Sequence, residues 1–504
     1  MMTPLANGQA KSLSQLPALE FSIFRDVAID SLQSNYRAVA FFGAEMEPNS
    51  VDLFLVLAND DENTLGALRT RVESDTFPSL TPECPQLHMF EREIAEQFGL
   101  RPEGHPWFKP VRYRPSWHPT RDAWQRPKTA PIEPAVCDFY RVEGDDVHEV
   151  AVGPVHAGII EPGHFRFQCH GEVVFHLEIA LGFQHRGIEE ALLGSPNPRA
   201  PYLAETISGD ATIGHATAYC QAIEALATAK VPGRAQSLRA ILLELERLAN
   251  HVGDLGALAN DVAFLPTASY NGRIRGDFLN MTALLCGSRF GRGIVRPGGV
   301  LFDLEPARAA DLLQRLETGL ADTANSVNLL FDAPSVLARF ENKGIVPADI
   351  CRSFGIVGLP ARAAGIPQDI RLAHPAGIYR FAQIPLSTWD TGDVFARAYV
   401  RWLEIQHSIQ FIREQTKALP GGNVIAPVGP LKPDHFVVSL VEGWRGEIAH
   451  VALTDPQGRI RRHKIVDPSF HNWTALAYAL RGQQISDFPL CNKSFNLSYC
   501  GHDL

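Results

Sequence analysis

Residues 231–256, VPGRAQSLRAILLELERLANHVGDLG, carry a clear helical pattern. Their apolar side chains recur every three or four residues, the spacing that places them on one face of an α-helix. These side chains are Leu238, Ile241, Leu242, Leu245, Leu248, Val252 and Leu255. Pro232 and Gly233 mark the start of the pattern. The stretch therefore predicts a long amphipathic helix from Arg234 with one buried stripe.

Further helices and short strands are predicted on both sides of this helix. The other predicted helices are His215–Ala229, Gly276–Phe290, Pro306–Phe331 and Asp393–Leu419. The predicted strands are Phe139–Val142, Glu149–Val152, Phe165–Cys169, Val173–Ile179, His435–Leu440, Glu447–Thr454 and Gly458–Ile465. We therefore predict that residues 136–504 form one mainly helical domain, with a bundle core and small peripheral sheets.

The region before this domain has a different composition. Residues 116–135, SWHPTRDAWQRPKTAPIEPA, are rich in proline and have little apolar periodicity, which is typical of a semi-rigid connector. We place the linker at residues 119–135. Residues 1–118 combine strand-like runs at Ala38–Phe42 and Val51–Leu57 with a predicted helix over Thr64–Glu73. A small α+β domain is therefore predicted there, and the chain as a whole is assigned to the α+β class.

The composition limits the possible classes of function. The 504 residues include 46 basic and 56 acidic ones, a formal charge of −10, whereas nucleic-acid binders usually carry a basic excess. We therefore expect no nucleic-acid partner. No apolar run reaches the length of about 20 residues that a transmembrane helix needs, so no membrane span is predicted. The eight cysteines include no Cys-x-x-Cys pair, which favours a reduced cytoplasmic compartment over a disulfide framework.

Local motifs alone assign no chemistry. The sequence has no GxGxxG or GxxxxGK[ST] phosphate loop, no GxSxG nucleophile elbow and no HExxH zinc pattern. Cys491, Cys500 and His502 have metal-ligand chemistry, but they lack the usual Cys-x2-4-Cys spacing. We interpret them as buried or incidental side chains and predict no metal site.

Motifs along most of the chain resemble two related families. Residues 80–114, LTPECPQLHMFEREIAEQFGLRPEGHPWFKPVRYR, are similar to the complex I 30-kDa subunit and equally to the N-terminal part of formate hydrogenlyase large subunits. Later stretches are similar to the complex I 49-kDa subunit and to the large subunit of group 4 [NiFe]-hydrogenases. They are VGPVHAGIIEPGHFRF (152–167), GFQHRGIEE (182–190), HATAYCQAIEAL (215–226), residues 231–256, RPGGV (296–300), GDVFARAYVRWLEIQHSI (392–409) and VEGWRGE (441–447). The fused arrangement resembles the large subunits of hydrogenase-4 and formate hydrogenlyase.

This resemblance implies a place for a nickel–iron centre, which group 4 hydrogenases hold with cysteines of an RxCGxC and a DPCxxC motif. We align the first motif on residues 215–219 and the second on Tyr499 and Asp503. The four cysteine positions then fall on Ser208, Ala211, Ser498 and Gly501. Because soft metals need thiolates, the resemblance implies a vestigial site without metal.

The resemblance also implies other residues of the same cavity. The tyrosine that binds quinone in complex I falls on Gly209, and the corresponding histidine loop lies near Pro162, so the usual quinone ligands are missing. Asp210, His215 and Arg445 are expected to line a hydrated polar pocket, in which Asp210 and Arg445 neutralise each other and protons can pass.

His185 and Arg186 are expected beside an iron–sulfur cluster of a partner, because they match the HRG motif of the families. A guanidinium keeps its charge when partly buried and suits such a place. The residues alone equally allow a surface ion pair of Arg186 with Glu189 or Glu190.

The resemblance implies the peripheral large subunit of a membrane-bound, complex I-like respiratory oxidoreductase of the hydrogenase-4 type. Its implied partners are an iron–sulfur small subunit resembling the complex I 20-kDa protein and antiporter-like membrane subunits. This chain itself is expected to bind no cofactor, and its partners hold it at the inner face of the cytoplasmic membrane. Two alternatives stay open: a non-catalytic scaffold that couples a peripheral module to the membrane arm, and an NADH–quinone oxidoreductase subunit with an atypical quinone cavity.

Overall fold

A computed structural model describes residues 2–47, 50–118, 120–127, 131–158, 160–195 and 197–504. In chain order the strands are β1 (Thr3–Leu5), β2 (Lys11–Ser12), β3 (Arg37–Glu47), β4 (Ser50–Asn59), β5 (Thr64–Val72), β6 (Thr76–Pro78), β7 (Arg101–Glu103), β8 (Val147–Val152), β9 (His164–His170), β10 (Val173–Ala180), β11 (Val295–Arg296), β12 (Gly299–Val300), β13 (His435–Glu442), β14 (Glu447–Thr454) and β15 (Ile460–Val466). The helices are α1 (Phe21–Gln33), α2 (His88–Phe98), α3 (Ile188–Ala191), α4 (Ala200–Glu205), α5 (Thr212–Leu226), α6 (Gly233–Asp261), α7 (Leu265–Cys286), α8 (Pro306–Phe331), α9 (Pro334–Phe340), α10 (Ala348–Phe354), α11 (Leu359–Ala363), α12 (Ile370–Ala373), α13 (Val394–Lys417), α14 (Pro468–Ala479), α15 (Phe488–Phe495) and α16 (Tyr499–Asp503). This mixture of helices and small sheets confirms the predicted α+β class.

Helix α6 lies at the centre of the helical part and packs against α7 and α13. All seven apolar residues of the predicted stripe are buried, which confirms the helix and its core-facing side. The expectation of one buried stripe is wrong, because charged residues on the other faces of α6 are buried as well. Glu244 and Arg247 are both fully buried and form an ion pair with an N–O distance of 2.9 Å.

The buried charges of α6 belong to a larger ionic cluster. Arg362 donates to Glu404 at 2.9 Å and to Glu442 at 2.7 Å. His251 of α6 contacts Glu404 at 2.7 Å. A buried charge is costly unless it is paired, so each member depends on the others. We call Glu244, Arg247, Arg362, Glu404 and Glu442 the ionic cluster.

Most predicted elements are present. The predicted helix Pro306–Phe331 and the predicted strand Glu447–Thr454 have the same bounds in the structure. Helix α7 begins at Leu265, well before the predicted Gly276. The predicted strand Phe139–Val142 is wrong: the Tyr140 amide donates to a carboxylate oxygen of Glu178 at 2.8 Å instead of to a neighbouring strand.

The predicted helix Thr64–Glu73 is also wrong, because this segment is strand β5. It forms a hairpin with β4, in which Asn59 pairs with Thr64. Its alternate side chains Arg69 and Arg71 both donate to Asp52 on β4. Pairing with β4 and β1 therefore decides the conformation of a segment whose own sequence is ambiguous.

The N-terminal region and the C-terminal sheet share one hydrophobic core. Strand β2 pairs with β13 and extends the sheet β15-β14-β13-β2. Phe54 of β4 stacks on Phe436 of β13, with ring centroids 6.0 Å apart. Lys464 of β15 donates to both carboxylate oxygens of Glu93 in α2, at 2.7 and 2.6 Å. The two regions are therefore packed as one body by apolar and ionic contacts.

The predicted domain boundaries at residues 118 and 135 stay predictions. Pro119 and residues 128–130 of the predicted linker lie outside the described residues. Among the helices that the structure describes, none is both long and apolar enough to cross a membrane.

Candidate functional site

Two loops that are distant in the sequence meet beside α5. One runs from Thr206 to Ala211 and leads into α5, and the other runs from Asn496 to Ser498 and leads into α16. The hydroxyl oxygens of Ser208 and Ser498 lie 2.9 Å apart, and both side chains are buried. Ser498 also accepts a hydrogen bond from the Gly501 amide at 2.9 Å and so caps α16. The Ser208–Ser498 pair thus joins the two loops.

An ion pair closes this site on one side. Arg445, in the turn between β13 and β14, donates to the two carboxylate oxygens of Asp210 at 2.6 and 2.7 Å. It also donates to the Ser208 hydroxyl at 3.2 Å and to the Asn496 carbonyl at 2.5 Å. The guanidinium lies 3.9 Å from the ring centre of Trp444. Arg445 therefore contacts both loops and fixes their separation.

The electrostatics of this ion pair favour the charged forms. Burial raises the pKa of Asp210, but the Arg445 charge and the hydrogen bonds from Arg445 and Ser208 together outweigh it, so the pKa lies below its usual value. The Asp210 side chain keeps 34% of its surface exposed, whereas that of Arg445 keeps 6%. The site therefore has a partly exposed carboxylate end and a buried interior.

His215 lies deeper, in α5. Its Nε2 atom lies 3.0 Å from Oδ2 of Asp467, and its Nδ1 atom lies 3.2 Å from Nε2 of His450. Asp467 caps α14 by accepting from the Ser469 amide at 2.8 Å. Burial raises the pKa of Asp467, but the hydrogen bond and electrostatic contact with His215, followed by the Arg445 charge and the Ser469 hydrogen bond, bring it below its usual value.

The remaining two predicted positions contribute no polar side chain. Ala211 precedes α5, and its amide donates to the Ser208 carbonyl at 3.0 Å. At Gly501 a Cβ atom would lie 2.7 Å from Cγ of Asp467 and 2.9 Å from the Ser498 hydroxyl. The Asp467 carboxylate therefore occupies the space that a side chain at position 501 would need.

Arg186 joins the first loop to α16 through their backbones. Its guanidinium donates to the carbonyl oxygens of Thr206 at 2.5 Å, Ile207 at 3.0 Å and Cys500 at 3.2 Å. The neighbouring His185 places Nδ1 2.7 Å from the Asp503 carbonyl oxygen. The alternative of an ion pair with Glu189 is wrong, because Glu189 binds Arg462 at 2.8 Å. The expected cluster next to His185 and Arg186 stays a prediction.

Comparison with known proteins places these features in a family. The model of the 49-kDa subunit of respiratory-chain NADH dehydrogenase matches residues 261–434 and 425–503, and that of the 30-kDa subunit matches residues 10–130. Hydrogenase-4 component G of Escherichia coli (strain K12) is 30% identical over 438 residues, which are 85% of this chain and 76% of that protein. The chain belongs to the complex I 49-kDa and hydrogenase large-subunit family.

Other relatives agree with this assignment. Formate hydrogenlyase subunit 5 of Escherichia coli (strain K12) is 29% identical over 93% of this chain and 84% of its own length. The carbon monoxide-induced hydrogenase of Rhodospirillum rubrum is 31% identical over 69% of this chain and 97% of its own length. A chain in the structure of an archaeal membrane-bound sulfane sulfur reductase has the same fold, with a TM-score of 0.66 and 23% identity over 72% of this chain and 100% of that chain. The fused 30-kDa and 49-kDa organisation is thereby confirmed, and the homologues are subunits of oxidoreductase complexes.

Sequence reasoning missed several residues of this large subunit's site. Asp467, His450 and His463 come from three different elements, and no local spacing connects them. Glu246 was counted only as a helical residue of α6, yet it accepts from the Ile213 and Gly214 amides at 2.6 and 3.2 Å. A carboxylate at that point caps the start of α5, which carries His215.

Glu246 gives a pH-dependent prediction. Burial raises its pKa to about 8 from an ordinary value of 4.5, against the two amide hydrogen bonds. Between these pH values the folded chain keeps a proton that the unfolded chain releases, so this group lowers stability by about 1.4 kcal/mol for each pH unit of increase. Glu246→Gln keeps an acceptor for the Ile213 amide and removes the titration. We expect its free energy of unfolding, relative to wild type, to rise steadily from pH 5 to pH 8.

The measurement is denaturant unfolding of the full chain at several pH values. Glu341→Gln, at an exposed position, serves as the matched control and should leave the pH slope unchanged. If the free energy of unfolding changed equally with pH in Glu246→Gln and in wild type, Glu246 would be ionised in the folded chain.

Proposed function

We propose that this chain is the peripheral large subunit of a membrane-bound, complex I-like oxidoreductase and supports electron transfer in a neighbouring iron–sulfur subunit without a nickel–iron centre of its own. The proposal depends above all on the Ser208–Ser498 pair, at 2.9 Å, in the two loops that align with the metal-binding motifs of hydrogenases. It places the chain on the cytoplasmic face of the membrane, held there by partner subunits.

The residues at the four aligned positions do not fit a nickel–iron centre. They offer two hydroxyls at Ser208 and Ser498, a methyl group at Ala211 and no side chain at Gly501. Soft, electron-rich metals require thiolates, and a hydroxyl is a poor substitute. The neighbouring Cys500 offers a single thiol, whereas four thiolates hold the nickel–iron centre of group 4 hydrogenases.

The polar groups of the site instead satisfy one another. Asp210 and Arg445 form a bidentate ion pair, and Ser208 accepts a further hydrogen bond from Arg445. Such a cluster stabilises the meeting point of the two loops without a metal ion. Arg186 adds two hydrogen bonds to carbonyls of the first loop and one to the Cys500 carbonyl of α16, so the shape of the site is kept by the protein alone.

A partner subunit is supported by the names of the relatives and by exposed apolar residues. Formate hydrogenlyase subunit 5 and hydrogenase-4 component G are named as parts of larger assemblies. In the loop before β9, Val155 is 81% exposed and Ile160 is 39% exposed. Gly163 of the same loop approaches the Tyr499 ring at the start of α16. We propose that this loop contributes to the contact with the partner subunit.

The test is metal analysis of the complex purified through a tag on this chain. We expect a co-purifying iron–sulfur subunit, iron in proportion to its cluster, and no stoichiometric nickel. A group 4 hydrogenase that contains all four cysteines, purified in the same way, is the positive control. About one nickel ion per chain would contradict the proposal, and an associated small subunit without iron would favour the scaffold alternative.

A further inference from the structure

Three buried histidines form a row that ends on Asp467. Nε2 of His463 lies 3.0 Å from Nδ1 of His450, and Nε2 of His450 lies 3.2 Å from Nδ1 of His215. Nε2 of His215 lies 3.0 Å from Oδ2 of Asp467. The three imidazoles have no exposed surface. The row crosses from β15 through β14 to α5 and on to the N-cap of α14.

The hydrogen bonds of this row have one consistent direction when the rings are neutral. A neutral imidazole has one N–H donor and one acceptor nitrogen. The Asp467 carboxylate accepts only, so His215 must donate from Nε2 and accept at Nδ1. His450 and His463 must then also carry their protons on Nε2. This leaves Nδ1 of His463 as an acceptor at the end of the row.

The far end of the row agrees with this direction. Nδ1 of His463 is buried and has no hydrogen-bond partner among the residues that the structure describes. Groups facing His463 are the charges of Glu189 and Arg462 and the stacked ring of Tyr219, 5.7 Å away. Asp467, at the other end, faces the charges of Arg445 and Asp210. The row therefore connects a buried acceptor nitrogen that has no hydrogen-bond partner among the described residues with the polar site between the two loops.

We propose that His463, His450, His215 and Asp467 form a proton relay. A proton that binds Nδ1 of His463 releases the Nε2 proton of that ring to Nδ1 of His450. His450 then passes its own Nε2 proton to Nδ1 of His215, and His215 passes its Nε2 proton to Oδ2 of Asp467. One proton enters the row at His463 and one proton reaches Asp467, which becomes a neutral acid. Every ring ends neutral, with its proton on Nδ1.

The surroundings favour transfer over storage of the proton. Burial, together with the neighbouring rings, lowers the pKa of His450 well below its usual value. Burial also lowers the pKa of His463, to about 4. His450 and His463 are therefore neutral at rest, as the direction of the hydrogen bonds requires. The relay goes beyond the proposed function, because its residues need neither a metal nor a partner subunit.

The substitution Asp467→Asn tests the coupling along the row. The Ser469 amide donates to Oδ1, so an asparagine there keeps its oxygen on that amide and turns its NH₂ group toward His215. His215 must then accept at Nε2, and the direction of all three rings reverses. We expect ¹⁵N NMR of the histidine-labelled full chain to show the proton of His463 moving from Nε2 to Nδ1. His251, a buried histidine of α6 held by Glu404, is the internal reference and should not change.

The substitution His450→Gln tests passage of protons, since an amide fills a similar space and does not relay them. We expect deuterium exchange of the His463 ring proton to slow at least tenfold in this variant, while exchange at His251 stays the same. A change of tautomer that stops at His215 in Asp467→Asn would overturn the proposal, as would unchanged exchange at His463 in His450→Gln. If His450→Gln does not fold, the Asp467→Asn result decides alone. Both outcomes are independent of whether the complex contains nickel.

Discussion

Arg362→Met is expected to lower the free energy of unfolding by about 3–5 kcal/mol. Arg362 is fully buried in the ionic cluster, where it donates to Glu404 and Glu442 and to the Gln368 carbonyl. Methionine fills a similar volume but leaves both carboxylates short of a counter-charge. The check is denaturant or thermal unfolding of the full chain.

Arg352→Met is the matched control for this variant, because Arg352 has an exposed side chain in α10. A substitution at an exposed position usually changes stability by no more than about 0.5 kcal/mol. Equal losses in the two variants would mean that the ionic cluster contributes nothing specific to stability.

Lys464→Met is expected to lower the free energy of unfolding by about 3 kcal/mol and to weaken the contact between the N-terminal region and the C-terminal sheet. Lys464 is fully buried, binds Glu93 through two hydrogen bonds and lies 3.4 Å from Glu189. The charge of Lys464 helps to lower the pKa of Glu93 against the effect of burial. Without the charge of Lys464, Glu93 takes up a proton at higher pH. The difference in free energy of unfolding between wild type and the variant should therefore shrink as the pH falls.

Unfolding of Lys464→Met and wild type across the acidic pH range checks both parts of this prediction. The exposed Lys432→Met is the control and should show neither the loss nor its pH dependence. A deficit that stays constant with pH would attribute the loss to packing rather than to the charge of Glu93.

Periodicity in the sequence predicted the long elements because those elements follow local rules. Helix α8 and strand β14 have their predicted bounds, and the apolar stripe of α6 is buried as expected. The predictions that were wrong concern segments whose secondary structure or burial depends on partners distant in the sequence. Strand β5 owes its conformation to pairing with β4, and the buried charges of α6 owe theirs to residues far along the chain.

The candidate site was predictable only in part, for the same reason. The alignment of motifs led to Ser208, Ser498, Asp210 and Arg445, and the structure places these side chains within hydrogen-bonding distance of one another. These side chains bind one another directly. The hydrated pocket expected there stays a prediction. The row of histidines could not be found in this way, because it depends on three elements whose packing no short motif encodes.

The pairing of β2 with β13 has a consequence for synthesis on the ribosome. Lys11 and Ser12 leave the ribosome long before His435 and Phe436, their partners in the sheet. At about 5–20 residues per second, the first strand waits for tens of seconds. During that time the apolar surface around Phe54, later covered by Phe436, is open to solvent. The nascent chain therefore presents a binding surface for chaperones that the finished protein no longer has.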